Sequence, residues 1–228
     1  MSVDKESEDC RAASPPCFLE DVNPAYSGLS DNAKASVVRW RKKERERLIS
    51  SRRALTPASW QRYSDNIMLR LKDVLGAAGG CVISFYWPIR GEPDLRPVMS
   101  EFAQGGAILA LPVVAQKMAP LVFRVWVPGD PLERGVWNIP VPLVTANTVL
   151  PDIILAPVVG FDAACFRLGY GGGYFDRTLA SLSHKPRVVG VGYEIAAMPS
   201  IYPQPHDIPM DRIITEKRVL HRERALST

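Results

Sequence analysis

The sequence predicts an α/β protein with a Rossmann-like open sheet, largely parallel, and helices on both faces. Three observations predict it. From residue 81 onward, apolar runs rich in β-branched residues recur, bounded by Gly, Pro or charge: CVISFYW, AILALPVV, LVFRVWV, DIILAPVV and RVVGVGY. Helical patterns at 94–105 and 174–182 fall between such runs, and β-α-β alternation implies parallel neighbours joined by right-handed crossovers. The buried run 152–159 leads into a glycine-rich loop that opens a helix, which puts a cleft at the carboxyl ends of the strands.

Each element follows from local chemistry. Residues 1–32 mix Ser, Asp, Glu, Pro and Asn with little apolar periodicity, so this stretch is expected to be a flexible leader before a single domain over 33–228. From Ala33 to Leu55 the chain lacks Gly and Pro and is rich in helix formers, predicting a long basic helix. Thr56-Pro57 starts a second helix, with Thr56 as N-cap and Ile67, Leu71, Val74 and Leu75 on its buried face. After Gly79-Gly80 the strand runs begin. WNIPVP, 137–142, is too rich in proline for a central strand and is expected to be a surface loop.

Composition excludes several functions. The chain has 228 residues, 46% hydrophobic and 23% charged, which suits one sizeable globular domain. Twenty-eight Lys and Arg against 24 Asp and Glu give +4, too mild a balance to imply nucleic acid. No run approaches a membrane span, and MSVDKESEDC is acidic where a signal peptide is basic then apolar, so no membrane partner and a cytoplasmic location are expected. Cys10, Cys17, Cys81 and Cys165 form no CxxC pair, so neither structural disulfides nor zinc is expected.

Residues 152–180 carry the chemistry. Gly169, Gly171, Gly172 and Gly173 allow the backbone to approach a ligand, while the free N–H groups of the next helix point to the same place. That combination favours a phosphate. No GK[ST] follows, and Tyr174 occupies the last glycine position of GxGxxG, so neither common nucleotide loop is present. Arg167 before the loop can pair with phosphate oxygens, and Asp176 in the first helical turn is placed for Mg²⁺ between carboxylate and phosphate. The plain alternative is a turn that only packs strand on helix.

RLGYGGGYFDR, residues 167–177, closely resembles the signature of the 5-formyltetrahydrofolate cyclo-ligases, also called 5,10-methenyltetrahydrofolate synthetases. RWRKKERERLISSRRALT, YWPIRGEPD, VWNIPVP and HDIPMDRIITE agree in order and spacing, so the resemblance covers 40 to about 217. It implies a fold like that of the sugar-phosphate isomerase and CoA-transferase group, and a monomer. It also implies a reaction. MgATP phosphorylates the formyl oxygen of 5-formyltetrahydrofolate, with or without further glutamates; N10 then closes the ring, giving 5,10-methenyltetrahydrofolate, ADP and phosphate.

Carried onto this sequence, the resemblance makes Arg167 and Tyr174 catalytic. It places Arg167, Leu168, Gly169, Tyr170, Gly171, Gly172, Gly173, Tyr174 and Phe175 around ATP, together with Arg41, Lys42 and Arg45 of the basic helix. Arg41 and Arg45, four apart, share a helical face. Trp87, Glu92, Trp137 and Tyr174 are the implied substrate residues, with Glu92 accepting N–H bonds from the pterin, and Asp176 and Asp211 are the implied magnesium carboxylates. Phe175 replaces the commoner tyrosine, Arg41 stands where lysine is usual, and the leader is longer than the family core needs. Without the resemblance, the basic helix reads as a solvated face, and each tryptophan as a core or lid aromatic. Two other functions stand beside it: an ATP enzyme with a changed second substrate, and a non-catalytic folate- or nucleotide-binding regulator.

Overall fold

The computed structural model describes residues 31–223. The expected leader therefore lies, up to residue 30, outside the described residues. Helix α1 runs over Asp31–Arg53, starting two residues before the expected boundary, and α2 over Pro57–Leu75. Thr56 adopts the extended conformation of an N-cap and its Oγ1 accepts from Ser59 N at 3.2 Å, a contact of about 1 kcal/mol. Gly76 ends α2 at positive φ. Strands β1 (Val82–Ser84) and β2 (Ile108–Val113) flank α3 (Arg96–Gln104), and β3 is Val122–Val125. Strand β6 (Ile153–Pro157) is followed by α4 (Tyr174–Ser181), β9 (Arg187–Val191), β10 (Arg212–Ile214) and β11 (Val219–His221).

These strands form one sheet in the order β11-β10-β9-β6-β1-β2-β3. Neighbours from β10 to β2 are parallel, and the edge strands β3 and β11 are antiparallel, so the fold is the α/β class that the sequence predicts. Alternation along the strands divides the core in two. Ile83, Leu109, Leu111, Ile153, Leu155, Val189 and Ile214 pack under Ile67 and Leu71 of α2 and Val98 and Met99 of α3. Ala110, Ile154, Ala156, Val188 and Ile213 face the other way, toward Leu48 of α1 and Leu179 of α4. Ile67 and Leu71 are fully buried, each worth about 1.5–3 kcal/mol of burial.

Chain direction across the sheet reverses between β1 and β6: β2 lies beyond β1, while β9 and β10 lie beyond β6. The crossovers diverge there and leave a crevice at the strand carboxyl ends, the usual ligand position in such sheets.

Two expectations need correction. WNIPVP is not wholly loop: Val136–Asn138 form a 3₁₀ turn, and β5 (Pro140–Pro142) pairs antiparallel with β4 (Leu132–Arg134). This ribbon stands apart from the main sheet, where proline costs fewer ladder bonds. Nor does β6 enter the glycine loop directly, since a hairpin of β7 (Gly160–Phe161) and β8 (Arg167–Leu168) intervenes.

Candidate active site

The hairpin aims the loop. At its turn, Asp162 Oδ1 accepts from Ala164 N and Phe166 N at 3.1 Å each, and its Oδ2 accepts from Ile201 N at 3.1 Å. One carboxylate thus fixes the hairpin and the segment beginning at Ile201. From β8 the chain passes through Gly169 to Gly173 into α4, with Gly171 and Gly173 at φ 95° and 65°. That left-handed backbone suits glycine, and it turns the loop over a cleft of about 480 Å³ at the crevice between β1 and β6.

One set of cleft residues alternates charge. Arg41, 5% exposed, donates from Nη1 and Nη2 to Asp207 at 2.7 and 3.2 Å. Arg167, 6% exposed, donates from Nη2 to Asp176 Oδ2 at 3.0 Å, and Asp176 Oδ1 accepts from Ile208 N at 3.2 Å. Arg45 Nε donates to Gly169 O at 2.7 Å and lays its guanidinium against Gly171. Burial, with Arg41 beside it, lowers the Arg45 pKa to about 10, and burial likewise pushes that of Arg167 down. The Nε atoms of Arg41 and Arg167 are buried without a hydrogen-bond partner among the described residues. Both guanidinium groups line the cleft, where charged donors suit an anion.

A second set of cleft residues is aromatic and includes a buried carboxylate. Glu92, 2% exposed, accepts from Tyr170 Oη at 2.6 Å and from Ile89 N at 2.9 Å, and burial raises its pKa. Trp87 meets Trp126 edge-on at 5.9 Å between ring centroids, with the Arg96 guanidinium 4.9 Å from its ring. Trp137 is 65% exposed at the mouth, edge-on to Tyr174 at 5.6 Å. It and Asn138 hold positive φ of 56° and 59°, an uncommon backbone for non-glycine residues that sets the ring over the opening.

The structure therefore brings together Arg41, Arg45, Trp87, Glu92, Trp137, Arg167, Gly169, Tyr170, Gly171, Gly172, Gly173, Tyr174, Phe175 and Asp176. Three expected residues lie elsewhere. Lys42 is exposed on the outward side of α1, one residue off the face that Arg41 and Arg45 share. Leu168 is fully buried in the core, as alternation along β8 requires when Arg167 faces the cleft. Asp211 is exposed at the amino-terminal side of β10, where its Oδ2 accepts from Val188 N at 2.8 Å, across the sheet from the cleft. The carboxylate in the cleft is instead Asp207, four residues earlier. The signal lay in the text: Asp207 sits in the loop PQPHDIP, whereas Asp211 directly precedes a strand. Arg90 and Gln204 also line the cleft and were not anticipated.

The model of the 5-formyltetrahydrofolate cyclo-ligase family matches residues 37–216, which hold every cleft residue named above. The chain belongs to that family. A cyclo-ligase of Escherichia coli (strain K12) is 29% identical over 174 residues, covering 74% of this chain and 96% of the relative. One from Mycolicibacterium smegmatis is 31% identical over 146 residues, covering 61% of this chain and 75% of the relative. The 5,10-methenyltetrahydrofolate synthetase structure from Aquifex aeolicus superposes with a TM-score of 0.71 at 29% identity, covering 82% of this chain and 95% of that one. That from Mycoplasma pneumoniae, with a TM-score of 0.63 at 22% identity over 77% of this chain and 98% of that one, shares the fold. Cyclo-ligase activity goes with the membership.

Proposed function

We propose that this chain closes 5-formyltetrahydrofolate to 5,10-methenyltetrahydrofolate, using ATP and Mg²⁺ and releasing ADP and phosphate. The observation that carries the reading is that one cleft is lined by both sets of groups: arginines with their aspartate partners and the glycine loop, together with Glu92 and two tryptophans. The loop residues Tyr170 and Tyr174 join the two sets through their contacts with Glu92 and Trp137, so a formyl oxygen held there could meet a terminal phosphate.

Asp176 and Asp207 fit a magnesium ion. Both are hard oxygen donors in a cleft with anion-ready arginines, and each retains lone pairs beyond its observed bonds. Two carboxylates with phosphate oxygens and water make a usual Mg²⁺ site. The metal would neutralise charge on the transferred phosphoryl group.

The chain's own part is binding and orientation. Arg41, Arg45 and Arg167 take the phosphates, with the loop amides, and Tyr174 packs where the two substrates meet. Glu92 accepts from the N–H edge of the pterin and presents the formyl oxygen to ATP; Trp87 and Trp137 pack against the flat rings. The formyl oxygen bonds to the γ-phosphorus as ADP leaves, giving a phosphorylated imidate-like species. N10 then attacks the formyl carbon, and departure of the phosphate together with the N10 proton, as hydrogen phosphate, completes the methenyl bridge. A protein nucleophile is not required. The proposal extends to a monomer, on the family resemblance, and to the cytoplasm, on the acidic, polar start and the lack of a membrane-length apolar run.

The test is a near-ultraviolet absorbance assay with pure 5-formyltetrahydrofolate and MgATP. ATP-dependent product that Asp176→Asn loses is the expected result. No product from the parent chain overturns the reading.

A further inference from the structure

Behind Glu92 lies a buried cation that the reaction does not use directly. Arg52, in the last turn of α1, is 4% exposed. Its Nε donates to Arg90 O at 3.0 Å, and its Nη2 donates to Tyr170 Oη at 2.7 Å, with a second approach of 4.0 Å to Glu92. Tyr170 Oη in turn lies 2.6 Å from Glu92 Oε1.

The direction of these bonds is fixed. A guanidinium has only donors, so Tyr170 Oη must accept from Arg52 and spend its single proton on Glu92. Ile89 N donates to the other carboxylate oxygen at 2.9 Å. Both oxygens of Glu92 thus act as acceptors, an arrangement that favours the ionised form over the protonated one.

We propose that Arg52 is a positioning residue: through the Tyr170 hydroxyl it keeps Glu92 an ionised, aligned acceptor for the pterin. The proposal rests on the reading of Glu92 as the pterin acceptor. Around Glu92 stand Arg52 from α1, Arg90 and Tyr86 from the stretch after β1, Tyr170 from the glycine loop and Tyr193 after β9. Arg90 is exposed, so Arg52 is the buried cation of the set. Burial works against the charged form of Glu92, and loss of Arg52 leaves that pressure less opposed. Because Tyr170 belongs to the glycine loop, the same bond also pins the nucleotide cradle to the folate half.

The test is the pH profile of kcat/KM for 5-formyltetrahydrofolate at saturating MgATP, for the parent chain, Arg52→Gln, Arg52→Lys and Tyr170→Phe. An ionised Glu92 gives an acid limb. In Arg52→Gln that limb moves upward by about one pH unit, a tenfold loss at the foot of the profile that recovers at high pH, and Arg52→Lys restores most of it. Tyr170→Phe moves the limb the same way and serves if Arg52→Gln folds poorly. In Glu92→Gln, further loss of Arg52 produces no additional shift, since the carboxyl it acts on is gone. A pH-independent drop in both kcat and kcat/KM with an unmoved limb overturns the proposal while leaving the cyclo-ligase reading intact. A parent chain that does not convert the folate removes both.

Discussion

Arg167 Nη2 lies 3.0 Å from Asp176 Oδ2, an ion pair that ties the strand before the glycine loop to the helix after it. Both are largely buried, so either charge left alone is costly. Asp176→Asn should remove much of the magnesium affinity and lower turnover by roughly 100-fold or more. It should also lower stability by about 3 kcal/mol, because Arg167 loses its counter-charge. A magnesium titration of activity, with a thermal melt beside it, checks both; full activity at low magnesium would refute the metal assignment.

Asp207 and Asp211 offer a contrast. Asp207→Asn strands Arg41 and should raise the magnesium and ATP requirements together, because both its partners face the nucleotide half. Asp211→Asn removes only the bond to Val188 N, with a cost of about 1 kcal/mol in stability and none in the magnesium dependence. Matching metal titrations for the two variants would contradict this placement.

At Gly171 the test is conformational. With φ at 95° and the Arg45 guanidinium 3.4 Å from the position a methyl would take, Gly171→Ala strains the backbone and displaces Arg45. The cost should be about 1–3 kcal/mol, felt as weaker ATP binding with the folate constant little changed. Calorimetric titration with a non-hydrolysable nucleotide reads it directly.

Trp137 is mostly exposed, so Trp137→Ala should leave the melting temperature in place. It should raise KM for the folate roughly tenfold, the worth of one lost ring contact. A fall in melting temperature without a KM effect would make Trp137 a structural lid.

Cys165 is buried, and burial, with Asp162 nearby, pushes its thiol up to about 11. The folded chain thus favours the neutral thiol. Its contribution is complete at neutral pH and is lost as pH rises from the unfolded value, about 8.5, toward 11. Native protein at pH 8.5 should leave Cys165 unalkylated, while unfolded protein reacts; peptide mass mapping after a short pulse distinguishes them.

The elements legible in the sequence were those with a local cause. Thr56-Pro57 caps a helix whatever surrounds it, and Val188, Val189 and Val191 read as a strand from branching alone. The glycine loop was legible because its conformation is unusual. What stayed hidden depended on distant partners. The buried stripe of α1, Val37, Arg41, Glu44, Leu48 and Arg52, resembles a solvated charged face until Asp207 pairs with Arg41 and Tyr170 accepts from Arg52. Asp207 and Asp211 have the same chemistry four residues apart, and only the start of β10 sends one to the cleft and the other away.

The pairing of Arg41 with Asp207 spans 166 residues. A ribosome delivers the arginine early and the aspartate only after β9 has been made, so a nascent chain carries half of its phosphate pocket through most of synthesis. On the proposed reading, the phosphate pocket is complete only once the Asp207 loop has been made. A chain halted before the Asp207 loop would leave Arg41 without its counter-charge.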